Sequence, residues 1–283
     1  MNAIISATFK EALRKKILLF VGIITFIYLI LLGLFLSFSF KEFRAHNVNT
    51  ILVFKNISLF ISVLGFYFSS MLITFLTIMT SVGTVSSEIE SGAIHAIITK
   101  PIKRSHYVLG KYLGLSILVI TYSCFLFASI IAISYFIGMP LISTLGIIPV
   151  LKGLLFFIFE PLVILSLSIF GSTIFKTMTN GIFVFAIYIL GLIGGMMEQI
   201  GSLINSDALM KWGIFLSLIS PSDVIYREMI SAIFSNVGFD FPLLGAAPQA
   251  HMTPSAWMNV YIAVYMVGLL FLAVKKFSRK DIS

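Results

Sequence analysis

Six long stretches of the chain are dominated by apolar side chains: residues 17–40, 57–85, 107–137, 145–175, 181–200 and 256–274. A helix rises 1.5 Å per residue, so about 20 apolar residues carry it across the hydrocarbon core of a bilayer. Several of these runs exceed that length, which predicts tilt or protrusion from the membrane. Apolar positions occur on every face of each run. Barrel strands would instead alternate polar and apolar over about ten residues, so a β-barrel is excluded. The pattern predicts an all-α integral membrane protein with six transmembrane helices.

Shorter segments carry a different pattern. In residues 1–16, Ile5, Phe9, Ala12 and Leu13 recur at helical spacing, with Lys10, Glu11, Arg14 and Lys15 on the other side. That predicts an amphipathic helix in the membrane interface, the alternative being a basic segment that only orients the chain. The first apolar run is too long for a signal-peptide core, and no small-residue cleavage site follows it. Residues 201–255 form a connection too long for a turn. Within it, 209–219 is apolar but about half the length of a span. Across 224–239, Ile225, Met229, Ala232 and Ile233 lie opposite Arg227, Glu228 and Ser231. Two short helices dipping into the outer interface would satisfy both patterns; a small external cap is the alternative. Pro242, Pro248 and Pro254 then mark an irregular approach to the last span.

Composition narrows the class. Apolar residues make up 59% and charged ones 11%, against about 25% charged in soluble domains. A soluble globule, a disordered tail and a disulfide scaffold are excluded, and the single cysteine, Cys124, cannot form an intrachain bridge. The net charge of +8 would point to nucleic acid in a soluble protein. Here its placement matters more. With the N-terminus inside, thirteen of the nineteen Lys and Arg residues fall on the inner side, including Lys10, Lys103, Lys176 and Lys275. Bases favour the cytoplasmic side, so both termini are expected there, in the inner (plasma) membrane. The charge is read as orientation with some attraction to anionic lipid, and no nucleic acid is expected.

The loop 86–106 reads SSEIESGAIHAIITKPIKRSH. Glu88 and Glu90 precede Gly92, a short amphipathic run follows, and Pro101, Lys103 and Arg104 lead into the third span. Acids near the start and bases near the end suit a short helix's dipole, so this is a compact docking element or an ordinary charged turn. Glu160, beside Pro161, falls near the middle of the fourth span. A carboxylate there costs about 2.5–3.5 kcal/mol, so the group is expected to face protein or water or to be protonated. It lines a path, holds a cross-helix network, or is a satisfied structural group. Lys152, eight residues earlier and about 12 Å along the helix, is expected to reach the outer interface. Glu198 is expected in that interface too. Gly191, Gly194 and Gly195 allow close helix approach within a subunit or between copies. The histidines and methionines show no ligand spacing, and no metal is expected.

Several motifs resemble those of ABC-2-type transporter permeases. These are Glu88-x-Glu90-x-Gly92, Lys100-Pro101-x-x-Arg104 and Gly110-Lys111 in order, after an N-terminal Phe9-Lys10-Glu11-x-x-Arg14-Lys15-Lys16. The stretch Ser220-Pro221-Ser222-Asp223-x-x-Tyr226-Arg227 is similar to one in the subgroup containing the permease of the nitrous-oxide-reductase maturation transporter. The resemblance covers nearly the whole chain, as one transmembrane permease domain over 1–283. It implies two permease copies, dimerising largely through the first and fifth spans, with two separate cytoplasmic ATP-binding subunits. It implies that 86–106 is a coupling loop docking on the ATPase through Glu88, Glu90, Gly92, Pro101 and Arg104, with export by alternating access. ATP and magnesium would sit on the partner, because no Gly-x-x-x-x-Gly-Lys-Ser/Thr loop occurs in this chain. Two other classes compete. An intramembrane enzyme would need paired polar catalytic groups at one depth, and a secondary transporter usually carries internal repeats. Neither pattern is evident, and the sequence does not specify a cargo.

Overall fold

The computed structural model describes residues 1–45, 51–94, 103–137, 146–234 and 256–279, and every regular element among them is α-helical. In chain order these are α1 (Asn2–Arg14), α2 (Lys16–Ala45), α3 (Ile51–Ser81), α4 (Ser86–Glu90) and α5 (Arg104–Phe136). There follow α6 (Ile147–Ile174), α7 (Thr177–Leu203), α8 (Asp207–Ile219), α9 (Ser222–Phe234) and α10 (Ala256–Ser278). Among the described residues, six helices are long and apolar enough to cross a membrane: α2, α3, α5, α6, α7 and α10. All six expected spans are therefore present, most extending beyond the apolar run itself.

Helices α3 and α6 are the most enclosed, while α2 and α10 leave most of their apolar side chains on the outside. Phe26, Phe35 and Phe38 of α2 and Phe271 of α10 are each more than half exposed. In the interior, Phe66 (α3), Phe127 (α5) and Phe157 (α6) form an aromatic cluster with centroids 5.4, 6.2 and 5.6 Å apart. The offset and edge-on geometry suits ring quadrupoles better than face-to-face stacking. Helix α6 runs on through Pro161, at the loss of one backbone hydrogen bond.

Helix α1 docks by a face offset from the one that periodicity suggested. Leu13 is exposed, whereas Thr8 and Ala12 are buried. The reason lies on α5. A side chain at Gly110 would meet Ile4, and one at Gly114 would collide with Thr8 and the Ile5 carbonyl. Two glycines four residues apart make a shallow strip. Only the Ile4–Thr8 edge of α1 fits that strip, which leaves Leu13 outward.

The connection after α7 is a helical hairpin. Helices α8 and α9 meet at a bend of 100°, close to the two short helices expected. Residues 235–255, including the three prolines, lie outside the described residues. The glycines of α7 are filled from within the same chain. Gly191 lies against the Ser220 carbonyl, Gly194 against Leu216 and Ser217, and Gly195 against the Asp223 carboxylate. Gly213 of α8 returns the fit, its missing side chain leaving room for the Glu198 backbone. Thus backbone nearly touches backbone along this pair. Replacing Gly213 with Ala places a methyl 2.6 Å from the Glu198 nitrogen. Overpacking of this kind costs about 1–3 kcal/mol, so Gly213→Ala lowers the unfolding temperature in detergent. Gly22→Ala, with open space around its methyl inside a helix, does not lower that temperature.

Candidate functional site

The α4 end of the bundle gathers the charges that the loop pattern singled out. Helix α3 stops at Ser81, and a short turn leads to α4, which carries both Glu88 and Glu90. The acids therefore occupy a helix of their own. Gly92 follows at φ 73°, a left-handed conformation that disfavours any side chain, and so turns the chain out of α4. Pro101 and most of the amphipathic run lie outside the described residues.

Glu88 faces inward. Its Oε1 accepts from Lys111 Nζ of α5 at 2.5 Å, and its Oε2 accepts from the Tyr107 hydroxyl. Lys111 also donates to Glu11 of α1 at 3.4 Å. Its side chain is 7% exposed, against 20% for Glu88 and 54% for Glu11. One enclosed ammonium thus joins α1, α4 and α5. Lys15, in the extended residue between α1 and α2, donates to the Thr80 carbonyl at 3.2 Å. It reaches an end carbonyl of α3 that also accepts from the Thr84 hydroxyl at 3.5 Å, and it complements the helix dipole there. Burial pushes its ammonium below the usual lysine range, against the opposing pull of Glu11.

Glu90 caps a different helix. The Thr177 amide donates to its Oε1 at 2.8 Å, and the Thr177 hydroxyl to its Oε2 at 3.2 Å. Helix α7 starts there, and its N-cap position, Lys176, makes no side-chain cap of its own. A carboxylate from 87 residues away supplies the missing acceptor and complements the helix dipole. The turn between α3 and α4 is pinned as well. The Val85 amide donates to Ser172 of α6 at 3.1 Å, and Asn180 of α7 donates to the Val82 carbonyl at 2.8 Å. Arg104, at the far end of the loop, donates to the Ser278 carbonyl at 3.2 Å, the last residue of α10. Next to it, Tyr107 stacks on Phe277 of α10 with centroids 5.4 Å apart. The two flanks of the loop are therefore tied to the ends of α1, α5, α6, α7 and α10.

A second polar group lies deep in the bundle. Glu160 is 3% exposed, and the Ser70 hydroxyl of α3 reaches both of its oxygens, at 2.6 and 2.7 Å. It faces protein, joining the two most enclosed helices. Further along, Arg227 of α9 lies 2.7 Å from Glu198 of α7 and 2.9 Å from Asp223 one helical turn back. Glu198 is thus half-buried in an ion pair, where a simple interfacial position was expected. Tyr226 donates to the Val63 carbonyl of α3 at 2.8 Å, which ties the hairpin to the bundle core. Among the described residues, no group of three His, Cys, Asp or Glu side chains could hold a metal ion.

A family model described as ABC-2 family transporter protein matches residues 2–282. The chain belongs to that family. No curated protein matches it. As a member of the ABC-2 family it is a multi-pass membrane component of an ABC transporter, a transport part and not itself a catalyst. Membership also implies an ATP-binding cassette partner in general.

Of the six residues singled out for this ABC-2 chain, Glu88, Glu90 and Arg104 gather at the α4 end, Gly92 turns the chain beside them, and Glu160 stands apart in the core. Sequence reasoning missed Lys111 as the common partner of two acids, Tyr107, Thr177 and Ser70. It also missed the Glu198–Arg227–Asp223 cluster, although Asp223 and Arg227 at i and i+4 were a readable signal. Losing the Glu88 carboxylate leaves an enclosed ammonium with one anionic partner, Glu11 at 3.4 Å. Glu88→Gln is expected to lower stability by about 1.5–3 kcal/mol. Glu11→Gln, at a half-exposed site, stays within about 1 kcal/mol. Thermal unfolding of the purified variants in one detergent compares the two. Ser70→Ala removes the hydroxyl partner of Glu160 and costs about 1–3 kcal/mol by the same measurement.

Proposed function

We propose that the chain is the permease subunit of an ATP-driven exporter. Two copies form the path, and each couples through residues 86–106 to a separate cytoplasmic ATPase subunit that holds ATP and magnesium. Both termini then lie in the cytoplasm, and the protein resides in the inner (plasma) membrane. The stretch from Ser220 to Arg227 favours the subgroup resembling the nitrous-oxide-reductase maturation permease.

The observation that carries this reading is the tying of both flanks of the loop to the ends of five helices. A force on an ordinary charged turn would bend the turn. A force on this loop reaches α1, α5 and α10 through Lys111, Arg104 and Tyr107, and reaches α6 and α7 through Val85 and Glu90. Because Glu88 and Glu90 spend their acceptors on these internal bonds, their part is to transmit motion, leaving residues between them and Arg104 to touch the ATPase. A carboxyl group at Glu160 is enclosed between helices that alternating access would move past each other.

The test is coupled ATP turnover in a reconstituted complex of this chain with its ATPase. Disrupting an element along a coupling route changes coupling by about 0.5–2 kcal/mol, or about 2–30-fold. Glu90→Ala is expected to cut cargo-stimulated turnover within that range while the ATPase still co-purifies. Transport activity by the chain alone, with no ATPase bound, defeats the proposal. Full transport by Glu160→Gln removes Glu160 from the mechanism.

A further inference from the structure

A cavity of about 640 Å³ opens between the first half of α6, helix α9 and the first half of α10. Its size lies within the roughly 300–1,000 Å³ of ordinary ligand sites. It is distinct from the α4 joint, and none of the polar contacts described above runs through it.

The walls are sorted by chemistry. Phe156 and Phe159 of α6, Ile225 of α9 and Ile262 of α10 supply an apolar surface. Lys152 of α6 and Glu228 of α9 line the same cavity, with Asn259 of α10 beside Glu228. Asn259 donates to Glu228 Oε1 at 3.4 Å. Lys152 is exposed, and no carboxylate among the described residues stands within ion-pair distance of it. Acid and base thus share one chamber without pairing to each other. Lys152 is the sixth residue of α6, about 7–8 Å from the helix start by helix rise. That is where a snorkelling ammonium meets lipid phosphates. The aromatic wall continues from there toward the middle of the span.

We propose that this cavity binds one phospholipid with a zwitterionic, primary-amine head group, of the phosphatidylethanolamine class. The phosphate would sit at Lys152 and the ammonium at Glu228, while an acyl chain lies along Phe156 and Phe159. Charge complementarity selects this occupant. An anionic lipid would satisfy Lys152 but bring no cation to Glu228. A choline lipid carries a cation, but its methylated nitrogen has no N–H to donate to a carboxylate. The site is independent of the exporter reading, which stands or falls by ATPase coupling.

The experiment is native mass spectrometry of the full chain, purified in detergent and exposed to equal amounts of phosphatidylethanolamine, phosphatidylcholine and phosphatidylglycerol. The native chain is expected to retain the ethanolamine lipid about threefold or more over either competitor, the scale of one partly exposed charge contact. Lys152→Ala lowers retention of all three. Glu228→Gln erases the preference of ethanolamine over choline while phosphate-dependent retention persists. Ala232→Trp, which fills the cavity from α9, abolishes selective retention. Equal retention of the three lipids by the native chain, or a preference for phosphatidylglycerol, overturns the proposal. So does a preference unaffected by Ala232→Trp in a variant that elutes as the native protein does.

Discussion

An ammonium enclosed at the end of a membrane helix has to find an anion, and Lys111 finds two. Its pairing with Glu88 and Glu11 fixes where α1 and α4 lie on α5, and the rest of that end follows. Helix α1 can come close enough only because Gly110 and Gly114 offer no side chains. Once α1 is seated, Lys15 is within reach of Thr80 and closes the end of α3. Once α4 is seated, Glu90 is within reach of Thr177 and opens α7. A single buried cation therefore sets a chain of helix-end contacts, each giving a partner to a backbone or charged group at a helix end.

The deeper interior obeys the same constraint with weaker groups. Water is scarce there, so many of the polar side chains bond to the backbone of their own helix or to a neighbour. Thr77, Thr80 and Ser81 donate back along α3, and Ser81 also meets Ser168 of α6 at 2.7 Å. Glu160 meets Ser70 on the same pair of helices. Helices α3 and α6 thus touch through a line of hydroxyls beside the phenylalanine cluster. Hydroxyl contacts hold two helices together without the large penalty of breaking a buried ion pair. Under the proposed alternating access, such a seam would slide more readily than the ionic joint at α4.

The spans were legible because hydrocarbon imposes a length and a composition on every crossing helix. Even the short hairpin could be read, since Leu209–Ile219 is apolar yet too short to cross. The joint was legible only in part. The acids of 86–106 stand out against an apolar sequence, but their partners do not. Lys111 lies 23 residues from Glu88, and Thr177 lies 87 from Glu90. No periodicity links positions on different helices. The face of α1 was misjudged for a related reason: hydrophobicity favoured Leu13, while shape favoured Thr8. Glycine in α5 decided the matter, and a glycine announces close approach without naming what approaches.

The arrangement also bears on what the loop can do. The flanking acids and Arg104 are committed to partners inside the chain, so they define the rigidity of the loop's anchors. Under the proposed coupling, stiffness at the anchors is what converts a push into helix movement. The contacts differ in how they would yield. Glu90 to Thr177 is an exposed cap and gives way at little cost, whereas Lys111 to Glu88 is enclosed and does not. Movement would then begin between α4 and α7 while α1, α4 and α5 travel together. Under that proposal the sliding surface would lie between α3 and α6, where Glu160 and its serine partner lie, with the ionic joint as the lever and the hydroxyl seam as the bearing.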